Sequence, residues 1–123
     1  MFILDSNLII YSYENKYSKL RTFIFDSIHK MYASEISKLE VLGYQQLKSS
    51  EAVYFQEFFN QVNIIPISTE IINQAIQLKQ DKKMSLGDSI IASTAIIKNL
   101  ELHTNNVSDF EHIRNLVIEN PLN

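Results

Sequence analysis

Five short apolar runs recur along the chain, at Phe2 to Asp5, Met31 to Ser34, Asn63 to Ser68, Leu100 to Thr104 and Leu116 to Glu119. Each is four to six residues long and reads as a strand. The segments between them carry apolar residues at three and four spacing, as amphipathic helices do: Leu8 to Glu14, Tyr17 to His29, Ile36 to Leu47, Ala52 to Gln61, Thr69 to Lys82 and Leu86 to Lys98. In the third of these, Ile36, Leu39, Gly43 and Leu47 form the predicted buried stripe. Strands alternating with helices predict an α/β fold with a mostly parallel sheet covered on both faces.

Size and composition fit one compact domain over residues 1–123 with a substantial core, since 46% of the 123 residues are hydrophobic and 20% are charged. Gly43 and Gly87 are the two glycines and Pro66 and Pro121 the two prolines, so long flexible linkers and Gly-rich phosphate loops are not expected. Cysteine is absent, which excludes disulfides and thiolate zinc sites and suits a reducing cytoplasm. Asp5 interrupts the N-terminal apolar run and no basic stretch precedes it, so no signal peptide is expected. The longest nearly apolar stretch, Ile90 to Ile97, contains Ser93 and Thr94 and is far shorter than the roughly 20 residues of a membrane span. A soluble protein is the expectation.

A net charge of −3 argues against a protein that coats nucleic acid through bulk electrostatics, but not against a nuclease whose acids belong to its site. Four acids lie at the ends of apolar segments: Asp5, Glu40, Asp88 and Asp109. Ligands in such sheets bind beyond the carboxyl ends of the strands, and Asp5 and Asn106 follow strand ends while Glu40 and Asp88 are read in first turns of helices. If these acids converge, a hard divalent cation such as Mg²⁺ or Mn²⁺ is what holds them together, because oxygen ligands suit it and its charge offsets their repulsion. The corresponding chemistry is metal-assisted phosphodiester cleavage.

Each acid also has a plainer reading. Asp5 or Ser6 can cap the helix that follows. Ser37 to Glu40 and Ser85 to Asp88 both have capping-box spacing, and Asp109 can cap a short turn reaching Ile113. Thr104 and Asn106 can hydrogen-bond within their own turn. Lys82 and Lys83, just before Asp88, read equally as a solvated helix end or as positive charge beside a site. His29, His103 and His112 lack the spacing of a zinc site. No Gly-x-Ser-x-Gly elbow supports a serine hydrolase. Asn106-Val107-Ser108 is a glycosylation sequon without meaning in a cytoplasmic chain, and Tyr54, Phe55, Phe58 and Phe59 read as core or in part as a partner surface.

Four stretches carry a resemblance. Phe2-Ile3-Leu4-Asp5-Ser6-Asn7, Glu40, Leu86-Gly87-Asp88-Ser89-Ile90-Ile91-Ala92-Ser93-Thr94-Ala95 and His103-Thr104-Asn105-Asn106-Val107-Ser108-Asp109-Phe110 resemble the motifs of PIN-domain ribonucleases, specifically the short toxins of the VapC type. The third and fourth stretches are the specific ones. The resemblance implies a three-layer α/β/α sandwich, Mg²⁺- or Mn²⁺-dependent endoribonuclease activity on RNA such as tRNA, inhibition by a cognate antitoxin covering the cleft, and a homodimer. It implies metal ligation by Asp5 and Asp88, with Glu40 binding through water or at a second metal and Asp109 and Asn106 completing the shell. Thr104 would orient a carboxylate or phosphate oxygen. Many PIN domains carry their fourth acid where this chain has Asn106, so Asp109 takes that role or the site runs on three acids.

Two other readings compete. Aspartyl-phosphate hydrolases also begin with a strand ending in Asp, but that chemistry wants a second acid two residues on, where Asn7 stands. A non-catalytic PIN-like RNA-binding or assembly module is the alternative from a different class, and the joint presence of Asp5, Glu40 and Asp88 argues against it.

Overall fold

The structure, a computed structural model, describes residues 1–122. Five strands, β1 (Phe2–Leu4), β2 (Met31–Ser34), β3 (Asn63–Ile65), β4 (Glu101–His103) and β5 (Ile118–Glu119), form one sheet in the order β3-β2-β1-β4-β5. Every pairing is parallel, with Phe2 opposite Met31 on one side of β1 and opposite Glu101 on the other. Six helices connect and cover them: α1 (Ser6–Tyr11), α2 (Ser18–Asp26), α3 (Glu35–Leu42), α4 (Ser49–Gln61), α5 (Thr69–Asp81) and α6 (Leu86–Lys98). The result is the expected three-layer α/β/α sandwich.

Strand alternation sends neighbouring side chains to opposite faces, and both faces are apolar because both are covered. Ile3 and Leu102 join a core with Ile71, Ala75 and Leu78 of α5 and Ile90, Ile91, Ala92 and Ala95 of α6. Leu4, Met31 and Ala33 join a second core with Leu8 and Ile9 of α1, Leu20 and Ile24 of α2, and Phe55, Phe58 and Phe59 of α4. Helix α3 serves both cores, through Ile36 on one side and Val41 on the other.

Several predicted boundaries shift for identifiable reasons. The strand read to Ser68 stops at Ile65, because Pro66 has no N–H for a ladder and Ser68 caps α5, its side chain accepting from the Ile71 amide. The helix read from Leu8 to Glu14 runs from Ser6 to Tyr11: Arg21 donates to the Ser12 and Tyr13 carbonyls and fixes the chain as it leaves α1. The segment read from Tyr17 to His29 is α2 flanked by 3₁₀ turns at Asn15–Tyr17 and Ile28–Lys30.

Of the stripe expected on α3, Ile36 alone is buried. Leu39 is 67% exposed, the helix ends at Leu42, and Gly43 is its C-cap. The buried positions are Ile36, Ser37 and Val41. An apolar count overlooks Ser37, which is fully buried because its hydroxyl meets Ser6 where α3 crosses α1. Helix α6, by contrast, has the predicted bounds. It closes on Asn99 in the left-handed conformation (φ 56°), with Leu100 N–H bonded to the Ala95 carbonyl at 2.9 Å and Asn99 N–H to the Ile96 carbonyl at 3.2 Å. That tight stop delivers the chain directly into β4.

Candidate active site

The sheet runs outward from β1 in two directions, through β2 to β3 and through β4 to β5, so the gap between β1 and β4 is where connections diverge and a crevice opens beyond the strand ends. Asp5 follows β1 and Thr104 follows β4. The Asp5 amide donates to the His103 carbonyl at 2.9 Å, and Thr104 Oγ1 donates to Asp5 Oδ2 at 2.8 Å. The same hydroxyl accepts from the Asn106 amide at 2.9 Å, so its one proton is directed to the carboxylate. Asp5 occupies the N-cap position of α1, yet its side chain makes no capping bond there. The plain capping account of Asp5 and Ser6 therefore fails, and the Asp5 carboxylate is turned toward the crevice wall.

Glu40 is not in the first turn of a helix but near the end of α3, and its capping-box reading fails too: Ser34 is the N-cap, its Oγ accepting from the Ile36 amide at 3.1 Å. Ser6 Oγ donates to Glu40 Oε1 at 2.8 Å and lies 2.8 Å from Ser37 Oγ. Since the Ser6 proton goes to Glu40, Ser37 donates to Ser6, and the two serines form a relay that orients the carboxylate. Sequence reasoning missed both as positioning residues. Two serines at otherwise buried helix positions were the available signal.

Asp88 lies in the first turn of α6, where its amide donates to Ser85 Oγ at 3.1 Å. This is half of a capping box; the Ser85 amide donates no reciprocal bond to the Asp88 carboxylate. Gly87 packs against Glu40, so α3 and α6 bring Glu40 and Asp88 to the same crevice. Asp109 ends a 3₁₀ turn (Val107–Asp109) whose N-cap is Asn106, rather than opening a turn toward Ile113. It shares a cleft of about 210 Å³ with Asp88, Lys82, Lys83, Ser85 and Ser108.

Electrostatics ties the acids together. Burial, with the charges of Asp88 and Glu40, pushes the Asp5 carboxyl up to about 6 against the opposing Thr104 hydrogen bond and Ser6 amide. Burial also raises Asp88, with Asp109 and Glu40 adding to the rise and Ser85 opposing it. Among the described residues the one lysine or arginine ion pair is Lys16 with Glu14, so no lysine or arginine is paired with these acids. Nor do any three His, Cys, Asp or Glu side chains among the described residues stand close enough to enclose a metal ion as they are. The donor set, carboxylates with hydroxyl and amide oxygens and no sulfur, fits a hard cation such as Mg²⁺ or Mn²⁺.

The side chains of His103 and His29 make none of the hydrogen bonds that hold the acids. The His103 ring is buried and stacks on Phe2 at 4.0 Å on the face away from the acids' tethers, and burial lowers its pKa. His29 lies in the turn that precedes β2, near the opposite end of the strands.

The chain is 25% identical over 130 residues, 98% of its own length and 97% of the other's, to Ribonuclease VapC2 of Rickettsia felis. It superposes on a toxin–antitoxin complex from Klebsiella pneumoniae with a TM-score of 0.78 at 27% identity, covering 95% of this chain and 96% of that one. For the VapBC2 complex of Rickettsia felis bound to a promoter DNA fragment the TM-score is 0.82 at 24% identity, with 97% of each chain covered, a likeness of fold. The sequence profile of the PIN domain matches residues 2–116, a span that takes in Asp5, Glu40, Asp88, Thr104 and Asp109. An acid at the switch point of a 3-2-1-4-5 parallel sheet and a profile match over nearly the whole chain lead to one conclusion: this protein belongs to the PIN domain family.

Proposed function

We propose that residues 1–123 form one PIN-like unit acting as a metal-dependent endoribonuclease, the toxin of a toxin–antitoxin pair working in the cytoplasm. The carrying observation is the buried Asp5 carboxylate, raised to about 6 beside Asp88 and Glu40 and left without a lysine or arginine partner among the described residues. Such an arrangement costs stability unless a ligand of opposite charge binds. Asp5, Asp88 and Glu40 are the residues that would hold Mg²⁺ or Mn²⁺, and Asp109, which raises Asp88, completes the set. A bound ion would supply charge neutralisation at the phosphoryl group and a more acidic water.

The chain's own residues do the positioning. Thr104 fixes one oxygen of Asp5, Ser6 and Ser37 fix Glu40, and Asn106 fixes Thr104 through its backbone amide. Attack by water rather than by the ribose 2′-hydroxyl leaves a 5′-phosphate on the downstream fragment. The names of the relatives, a ribonuclease and toxin–antitoxin complexes, support RNA as substrate and an antitoxin as partner. A largely apolar cavity of about 250 Å³ lined by Ile10, Val41, Tyr44, Leu47 and Phe55 together with Glu40 and Glu51 suits an apolar antitoxin segment that carries a basic residue toward the acids. Exposed Leu39, Ile72, Ile76 and Leu86 on α3, α5 and α6 support a homodimer. No helix among the described residues is long and apolar enough to cross a membrane.

The test is RNA cleavage with Mg²⁺, Mn²⁺ or excess chelator, with end-group analysis of the products. Cleavage with either ion, 5′-phosphate ends and none in chelator are expected. Full activity in chelator would refute the reading, and RNA binding without cleavage under any condition would favour the non-catalytic module.

A further inference from the structure

The connection between α5 and α6, Lys82 to Ser85, is held along its whole length. The Lys82 amide donates to the Leu78 carbonyl at 3.2 Å, Lys79 Nζ donates to the Met84 carbonyl at 2.7 Å, the Met84 side chain is buried, and Ser85 caps α6. The ammonium of Lys79 is thus committed to the backbone. Those of Lys82 and Lys83 are not: both side chains are exposed, both line the 210 Å³ cleft with Asp88 and Asp109, and neither forms a salt bridge among the described residues. Two lysines that share a cleft with two acids and still do not pair with them keep their charge for something else.

The lining narrows what that is. Apart from Met84, the cleft is built from lysine, serine and aspartate side chains, so it has no apolar anchor for a peptide of the kind the cavity beside Glu40 offers. It also opens at the N-terminus of α6, a thirteen-residue helix whose dipole favours an anion there. Lysine, serine hydroxyl and helix N-terminus are the groups that hold phosphate. They line a cleft with Asp88 that Asp5 and Glu40 do not line, while Asp88 itself feels the charge of Glu40 and adds to that on Asp5.

We propose that Lys82 and Lys83, with Ser108, form a subsite for a backbone phosphate of single-stranded RNA flanking the phosphate that is cut. This rests on the ribonuclease reading above and extends it to how the strand is placed. The acids and their cation take the scissile phosphate, and the lysines take a neighbour. Lysine acts here as a point charge and reads no base edge, so the subsite supplies affinity and salt dependence rather than sequence preference.

The test uses the intact protein and a labelled single-stranded oligoribonucleotide. Binding by fluorescence anisotropy in chelator, as a function of salt, and cleavage kinetics in Mg²⁺ are compared for wild type, Lys82→Ala/Lys83→Ala, Lys82→Arg/Lys83→Arg, and Lys30→Ala/Lys98→Ala. The last makes the same charge change near the opposite end of the strands. The alanine pair is expected to weaken binding about tenfold at low salt for every sequence tried, and to flatten the slope of log K against log salt by about 0.7, one phosphate contact on a single strand. KM is expected to rise with kcat within about twofold, the signature of binding energy lost equally from ground and transition states. The arginine pair should behave as wild type, and the Lys30/Lys98 pair should keep wild-type binding and slope.

Equal losses in the two alanine pairs would mean bulk charge alone and would overturn the subsite. So would unchanged RNA binding with a loss confined to antitoxin affinity, or a fall in kcat with binding intact. If wild type binds RNA but never cuts it, the ribonuclease reading fails while the binding contrast still decides the lysines. If wild type binds no RNA, both fail. Circular dichroism of each variant shows that the fold is retained, and Lys82→Gln/Lys83→Gln repeats the measurement should the alanine pair be unstable.

Discussion

The Glu40 carboxylate occupies the space that a side chain at position 87 would fill. A Cβ built on Gly87 would stand 2.5 Å from Glu40 Oε2 and 3.1 Å from its Cδ, so glycine there is required by the close approach of α6 to an acid of α3. Gly87→Ala would push the flexible end of Glu40 away from Ser6, while alanine gains roughly 0.5–1 kcal/mol of helix preference over glycine. We expect thermal stability within about 1 kcal/mol of wild type and RNA cleavage reduced at least tenfold. Equal activity in the two proteins would show that Glu40 need not stand where it does.

Asp5 makes metal-free stability depend on pH. Its folded-state value, about 6 against 3.8 for the free carboxyl, means that the native state binds more protons than the unfolded one between those values. The contribution of Asp5 to stability is therefore highest below about pH 4, falls as pH rises toward 6 and is flat above, by up to roughly 3 kcal/mol for a shift of this size. Asp5→Asn should be more stable than wild type at pH 7.5 in chelator and indistinguishable from it near pH 3.5. Chemical denaturation at a series of pH values measures this, and a wild-type stability rising between pH 4 and 6 relative to Asp5→Asn would contradict it.

Asp88 separates a cap from a site residue. A helix N-terminus stabilises a first-turn carboxylate by about 0.3–1 kcal/mol, and on that basis alone Asp88→Asn would weaken the protein. Burial and the charges of Asp109 and Glu40 outweigh this, since they raise its pKa. A raised folded pKa means that ionisation costs stability at neutral pH. Asp88→Asn is accordingly expected to unfold at a higher temperature in chelator, to lose most of the Mg²⁺-induced stabilisation and to stop cutting RNA. A variant that is less stable, keeps the metal response and still cuts is only missing a cap.

Thr104 holds Asp5 from the neighbouring strand. Thr104→Val keeps shape but leaves the Asp5 carboxylate and the Asn106 amide without their partner, an expected cost of about 1–3 kcal/mol. Thr104→Ser keeps the hydroxyl and should restore most stability and activity. Because the lost bond is one that lowers the Asp5 pKa, the pH at which stability levels off should move higher in the valine variant. Unfolding curves for the two variants across pH provide the comparison.

Much of this was legible in the chain before any coordinates. The alternation of short apolar runs with three-and-four spacing gave the parallel sheet and six helices, because both faces of the strands are buried and leave a continuous apolar signature. Asp5, Asp88 and Thr104 stood out because each sits at a boundary where an element ends. Other features were hidden by chemistry that periodicity does not register. Ser37 and Ser6 are polar residues buried by bonding each other, so apolar spacing finds Ile36 on the buried face of α3 but not Ser37, and it does not place Glu40 in the last turn. The contact of Gly87 with Glu40 joins residues on different helices, which no local pattern encodes.

The Thr104 to Asp5 bond spans 99 positions of sequence, and β1 gains its second neighbour only when β4 arrives. The central strand is thus the first made and among the last completed. At about 5–20 residues per second, a ribosome needs roughly 5–20 s to deliver that last partner after Asp5 emerges. Throughout that interval the crevice has one wall. On the function proposed above, the completed crevice arrives only with the last third of synthesis, an interval in which a neutralising protein can already be waiting.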